Sequence, residues 1–300
     1  MSRAKSKKFI PEPEIKFQKT KTLTVKKNGK IADFLTPNFV YGCMGWCRNT
    51  FCYVMRYNYA KIYVNENREK ILEIVSEHAY DQERPKKPTH CDPDYYLYEI
   101  GIFTDVWLHR GHLPWKQIFE MFIDHPYAKA AFSSKYLHPE LLTIRPEGKI
   151  RIRINLMPEE YSKELETNTM PIAERLAMVE PLRKAGYEVD LDFWPIVVGT
   201  NDWLKQYEQL FIQVHKAVPE SIRDEINAHC SFLTHNKRQH KRNVQHGMHH
   251  SEKMIRRPWI MQWWRRRISR YLTDKRKKYI SERTRVHNMI LPRNRIRRVG

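Results

Sequence analysis

The chain predicts an α/β fold in which β/α units surround a parallel sheet, closed or partly closed into a barrel. Three observations predict it. Strand-like and helix-like stretches alternate from about residue 39 to 235. The clearest strand pattern, Lys149 to Met157, sets Ile150, Ile152 and Ile154 on one face and Arg151 and Arg153 on the other, a period of two. A helical stretch, Pro171 to Ala185, stops at Gly186, a residue suited to a left-handed C-cap.

The elements follow in chain order. Residues 1–22 are Lys-rich and irregular, and read as a flexible arm. Asn28-Gly29 suits a two-residue turn, flanked by Leu23-Thr24-Val25 and Ile31-Ala32-Asp33. Phe39-Val40-Tyr41 is a short strand running into a cysteine-rich loop. Glu66 to Ala79 has helical spacing, with Ile71, Leu72 and Val75 on one face. Residues 81–94 are charged and carry Pro85, Pro88 and Pro93, which predicts a loop. A strand from Tyr96 to Phe103 and a helix from Trp115 to Asp124 come next. Pro181 lies inside the 171–185 helix and predicts a kink or a split. A strand from Glu188 to Trp194 and a helix from Trp203 to Val218 close the pattern. The organisation is an N-terminal arm at 1–37, a barrel at 38–235 and a basic, aromatic-rich region at 236–300.

The hydrophobic fraction of 41% supports a sizeable core, and 12% aromatics argues against a disordered chain. No apolar run reaches ~18 residues, so no membrane partner is expected. The basic N-terminus lacks a following apolar stretch, and the expected location is the cytoplasm. The net charge is +20, and residues 251–300 hold 17 Lys and Arg against three acids. That concentration points to a polyanion. The same region interleaves Trp259, Trp263, Trp264 and Tyr271 with cations. Cations neutralise phosphates and aromatics stack on exposed bases. Arg265, Arg266, Arg267, Lys275 and Arg276 are the candidate nucleic-acid contacts.

Three of the five cysteines crowd into ten residues: Cys43, Cys47 and Cys52. Five is an odd number, which fits poorly with a disulfide framework. Three thiolates on one loop can hold a [4Fe–4S] cluster and leave its fourth iron open. Gly42 and Gly45 relax the backbone between them. Structural zinc takes four ligands, and His78, His90 or Cys91 could supply a fourth through space. The spacing alone leaves the cluster and zinc both open.

A set of short pieces in order resolves that choice by resemblance. They are Gly42-Cys43-Met44-Gly45-Trp46-Cys47 with Cys52-Tyr53, then Ile62-Tyr63-Val64-Asn65 and Thr104-Asp105. Gly148-Lys149-Ile150-Arg151-Ile152-Arg153, Ala185-Gly186-Tyr187-Glu188-Val189 and Trp194-Pro195-Ile196-Val197 follow. Leu233-Thr234-His235-Asn236 and Leu291-Pro292-Arg293-Asn294-Arg295-Ile296 complete them. The chain resembles the spore photoproduct lyase family of radical S-adenosylmethionine enzymes. The resemblance implies a partial (β/α) barrel with a basic C-terminal extension. It implies a [4Fe–4S] cluster on Cys43, Cys47 and Cys52, with S-adenosylmethionine on the open iron. It implies a 5′-deoxyadenosyl radical that takes hydrogen from a thymine photoproduct in DNA, so that the two thymines separate. An electron donor such as flavodoxin or ferredoxin is then a further partner. Thr104 and Lys149 fall near family positions that touch S-adenosylmethionine.

Three departures from the family pattern stand out. The family spacing is C-x3-C-x2-C, whereas this chain has C-x3-C-x4-C. Family lyases also carry a hydrogen-returning cysteine two residues before the Thr104 position, and here that residue is Ile102. Phe51 replaces the usual tyrosine before the third cysteine. Tyr53 and Cys91 are the candidate catalytic substitutes. The alternatives are a different nucleic-acid substrate, or a non-enzymatic zinc-containing nucleic-acid-binding protein.

Overall fold

The computed structural model describes residues 14–45, 47, 61–166, 168–197 and 202–232. Strands β1 (Glu14–Gln18), β2 (Lys26–Lys27), β3 (Phe34–Leu35), β4 (Val40–Tyr41) and β5 (Lys61–Asn65) precede helix α1 (Arg68–Tyr80). Then come β6 (Tyr96–Glu99), α2 (Trp115–Asp124), β7 (Ala128–Ser134), β8 (Ile150–Asn155) and α3 (Glu159–Leu165). Helices α4 (Ile172–Ala177) and α5 (Val179–Ala185), strand β9 (Glu188–Ile196), helices α6 (Trp203–Ala217) and α7 (Glu220–Arg223), and β10 (Ala228–Phe232) follow.

Seven strands form one sheet in the order β10-β9-β8-β7-β6-β3-β2, curled into a half barrel. Neighbours from β10 to β3 run parallel, and only β2 is antiparallel, to β3. The side-chain alternation of each strand divides the interior in two. Ala130, Phe132, Ile150, Ile152, Ile154, Val189, Leu191 and Phe193 pack outward in one apolar core. Phe119 and Phe122 of α2, Leu182 of α5 and Phe211 of α6 belong to that core. The opposite faces carry Glu99, Lys129, Arg151, Arg153, Asp190 and Asp192, and these line the concave side. All six are buried. Arg151 and Arg153 therefore do not face solvent, an option the sequence pattern leaves open.

The expected helices at 171–185 and 203–218 form, the first as two. The break falls at Met178, and Pro181 sits in the first turn of α5, where a missing N–H loses little. Gly186 takes φ +101° and caps α5. The Asn28-Gly29 turn also forms, with Gly29 at φ +64°. The paired residues are Lys26–Lys27 and Phe34–Leu35 rather than 23–25 and 31–33, and Phe34 and Leu35 also pair with β6.

Several features escape the sequence pattern, β5, α3 and α7 among them. β7 reads Ala-Lys-Ala-Ala-Phe-Ser-Ser, without a single β-branched residue. β1 falls inside the stretch read as an irregular arm, yet pairs parallel with β5 over five residues. β10 extends the sheet beyond β9. β4, which leads into the cysteines, pairs antiparallel with β5 in a separate three-stranded sheet, order β1-β5-β4. The parallel strand before the cysteine loop is β3, inside the 1–37 segment.

Candidate active site

The loop after β4 lies over the carboxyl ends of the half-barrel strands. Asn168 Nδ2, beyond α3, donates to Met44 O at 3.0 Å. Leu108, in a short 3₁₀ turn after β6, reaches within 3.6 Å of the place where a side chain on Gly45 would begin. Lys135, one residue past β7, brings its ammonium to 3.6 Å from Cys47 Sγ.

Cys43 and Cys47 converge. Their sulfurs lie 3.4 and 3.5 Å from the position of a Cβ on Gly45, so both thiols flank the same small space. The Gly45 amide donates to Cys43 Sγ at 3.3 Å. Burial pushes the Cys43 thiol up to about 12, with Asp105 and Cys47 adding to the rise. A bound cation would reverse that cost, because the thiolate is the metal-binding form. Soft, convergent sulfurs with a glycine between them fit an iron–sulfur cluster. Among the described residues, no three His, Cys, Asp or Glu side chains form a metal-binding group. Cys52 and Tyr53 lie outside the described residues, as do Arg265, Arg266, Arg267, Lys275 and Arg276.

A buried charge system supports the loop. Asp105 accepts from Ser134 Oγ at 2.7 Å and from the Lys135 amide at 2.6 Å, tying the ends of β6 and β7 together. Burial pushes its carboxyl up against those two bonds. Glu166 Oε1 stands 2.6 Å from Lys135 Nζ, and Glu166 Oε2 accepts from Arg175 at 2.9 Å. Burial alone would raise the Glu166 carboxyl, but Lys135 and Arg175 hold it below its usual range. His109, in the same turn as Leu108, is fully buried. Burial pushes its imidazole down to about 4, and His112 adds to the fall.

The sequence-derived candidates separate into two ends. Thr104 stays at the mouth, half-buried on the loop after β6, with Oγ1 3.5 Å from Asp105 O. Lys149 lies at the amino end of β8, where its ammonium bonds the carbonyls of His125 and Ala128 and sits over the Tyr95 ring. Cys91 also lies at that end, packed with Ala32, Leu97 and Ala131. Its carbonyl accepts from Arg151 at 2.5 Å, and burial pushes its thiol up to about 12. Ala131 and Lys135 are four residues apart along β7, which at roughly 3.3 Å per residue is ~13 Å. The structure therefore brings neither Cys91 nor Lys149 to the cysteine loop. Lys149 is expected there from a short motif match and Cys91 as a stand-in for the thiol absent at Ile102, and neither argument tells which strand end a residue occupies.

Sequence reasoning missed Lys135, Glu166 and Arg175. The signal for Lys135 was its position just past a strand, and that strand was itself missed. Asp105 was in plain view, beside Thr104.

A half barrel with a cysteine loop over its carboxyl ends defines a protein of the radical S-adenosylmethionine class. A model of the spore photoproduct lyase family matches residues 15–296, and the chain belongs to that family. It is accordingly a radical S-adenosylmethionine lyase that uses a [4Fe–4S] cluster. Among solved structures it is similar to a cysteine-to-alanine mutant of spore photoproduct lyase, at TM-score 0.70 and 18% identity. A spore photoproduct lyase complexed with dinucleoside spore photoproduct gives the same two values. A double mutant with bound AdoMet and the same dinucleoside gives TM-score 0.69 and 18%. Each comparison covers 86% of this chain and 78% of the other. No curated protein matches the sequence.

Proposed function

We propose that this chain cleaves the thymine–thymine spore photoproduct in DNA. The observation that carries the reading is the convergence of Cys43 and Cys47 beside Gly45, over the carboxyl ends of a sheet of the matching family. The cluster with S-adenosylmethionine supplies the radical chemistry when bound. The chain's own residues grip, orient and shield it. Cys43, Cys47 and Cys52 are the ligands. Thr104 offers a hydroxyl to the nucleoside. Tyr53 is the remaining candidate for hydrogen return, and Cys91 and Lys149 leave the site. The basic residues Arg265, Arg266, Arg267, Lys275 and Arg276 hold DNA through its phosphates. The electron donor is a small reductant such as flavodoxin or ferredoxin, and the setting is cytoplasmic. Among the described residues, no helix is long and apolar enough to cross a membrane.

The test is anaerobic reconstitution followed by iron and sulfide analysis, cofactor cleavage and lesion assay. The expected result is about four irons per chain, cleavage of S-adenosylmethionine and restoration of two separate thymines in the DNA. Stoichiometric zinc with no iron would overturn it.

Ile102, which stands where family lyases carry the hydrogen-returning thiol, favours a second reading. Here the cofactor chemistry is kept and the nucleic-acid substrate differs. Cofactor cleavage that persists on unirradiated DNA, without lesion repair, would select it.

A further inference from the structure

The cationic excess of the chain sits in two segments. Residues 1–30 hold ten Lys and Arg against two acids, and residues 236–300 hold 21 against three. The residues between, 31–235, carry 23 against 29. A body that is itself negative does not attract a polyanion, so affinity for DNA has to come from the two segments. The C-terminal one already has that role, and the N-terminal one is unassigned. Part of it is described. Ile15, Leu23 and Val25 pack against the core. Gln18 O accepts from the Glu66 amide at 2.9 Å, and the Thr20 amide donates to Asn67 Oδ1 at 3.0 Å. Asn28 Oδ1 accepts from the amides of Lys30 and Ile31. Lys19, Lys21, Lys26, Lys27 and Lys30 stand exposed on that fixed backbone. None of these five pairs with a carboxylate among the described residues. Exposed helix lysines do: Lys70 with Glu73, Lys116 with Glu120, Lys163 with Glu159 and Lys184 with Glu180.

Strand β2, which carries Lys26 and Lys27, is the edge of the half barrel. Lys26 lies opposite Leu35, at the carboxyl end of β3, and so stands on the mouth side. Lysines on an edge deter strand addition, but that role needs no run of them before the strand begins. Unpaired ammonium groups on a preformed backbone meet phosphates at little ordering cost. A duplex is stiff over the width of a domain, so DNA whose lesion enters the mouth continues across the rim of the body. We propose that Lys19, Lys21, Lys26 and Lys27 form a second DNA-binding surface, which holds the phosphates of the duplex flanking the lesion. The proposal rests on the reading of DNA as the substrate.

The test is binding of a fluorescent duplex to the reconstituted full-length chain, followed by anisotropy over a range of salt, with the photoproduct present in the duplex or absent. One variant combines Lys19→Gln, Lys21→Gln, Lys26→Gln and Lys27→Gln. A control combines Lys70→Gln, Lys116→Gln, Lys163→Gln and Lys184→Gln, the same loss of charge elsewhere on the surface. The first variant is expected to bind about tenfold or more weaker at ~0.15 M salt, with a log affinity against log salt slope shallower by about two or more. The loss is equal on damaged and intact duplex, because phosphates carry no sequence information. Arginine at all four positions restores the slope, and the control keeps it. Equal losses in variant and control, an unchanged slope in the variant, or a loss confined to damaged duplex overturns the surface. Should the fourfold variant fail to fold, Lys19→Gln with Lys21→Gln and Lys26→Gln with Lys27→Gln are read as pairs. Each pair is expected to be shallower by about one or more, and unchanged slopes in both overturn the surface. An unaltered chain that binds no duplex overturns the DNA reading itself, whereas binding that the variants leave unmoved overturns only this surface.

Discussion

The two ends of the half barrel use the same residue types to opposite effect. At the amino-terminal floor, charges close on one another. Arg151 bonds Asp92 at 2.9 Å and Glu188 at 2.7 Å, with Asp190 at 3.7 Å. Lys129 joins Asp92 and Glu188 as well. Burial would raise the Asp190 carboxyl, but His229 and Arg151 hold it below the usual range. At the mouth, the cation Lys135 faces a sulfur as well as a carboxylate. There Asn155 Oδ1 is buried with no hydrogen-bond partner among the described residues. A floor of charges closed on one another resists motion and access. A mouth where a cation meets a thiol is the end equipped to receive something.

The largest effect that can break this contrast is at the mouth. Cys47→Ala is expected to remove the brown colour of the cluster and to abolish cofactor cleavage, a loss of at least ~1000-fold against the unaltered chain. Normal cleavage in this variant would mean that the mouth is not the reacting end.

The matching change at the floor is Arg151→Met. It leaves Asp92 and Glu188 to Lys129 and Asp190 to His229 and Asn227, and breaking such a buried pair costs about 3–5 kcal/mol. Urea unfolding should show that loss, while the fraction that stays folded still takes up iron normally. Loss of iron binding in folded protein would blur the distinction between the ends.

How far the sequence announced this contrast differs between the ends. The mouth was legible through its cysteines, because a C-x3-C-x4-C cluster needs no partner elsewhere to be noticed. Its supporting charges were not. Lys135 and Glu166 are 31 positions apart, and only the closing of β7 and β8 into one sheet brings them together. At the floor, the alternation of Ile and Arg along β8 announced a strand with two faces. It could not tell a concave charged face from a wet one, because the answer lies in Asp92 and Glu188, far along the chain. Alternation is a local signal, whereas the pairing of buried charges is not.

A smaller effect sharpens the mouth. His109 is held neutral, its folded pKa of about 4 lying below the ordinary 6.5. The unfolded chain binds this proton first. The stability contributed by the neutral form is therefore complete above pH 6.5 and is lost as pH falls toward 4. By linkage the loss reaches up to ~3 kcal/mol. His109→Phe should flatten that part of the stability curve, measured by urea unfolding at pH 7, 5.5 and 4.5. An unchanged slope would show that burial does not hold the His109 imidazole neutral.

The smallest expected effect is at the floor, and it tests whether distance from the mouth governs function. Cys91 sits among Ala32, Leu97 and Ala131, and its thiol is raised by burial first and by Asp33 second. A protonated thiol could in principle give up a hydrogen atom, but only to a radical it can touch. About four residues of strand separate its layer from Lys135, and that gap of ~13 Å exceeds any contact distance. Cys91→Ala should thus cost only a small cavity, about 1 kcal/mol, and leave lesion turnover within about twofold. A tenfold fall in turnover, with cofactor cleavage and stability intact, would show that floor and mouth communicate during the reaction.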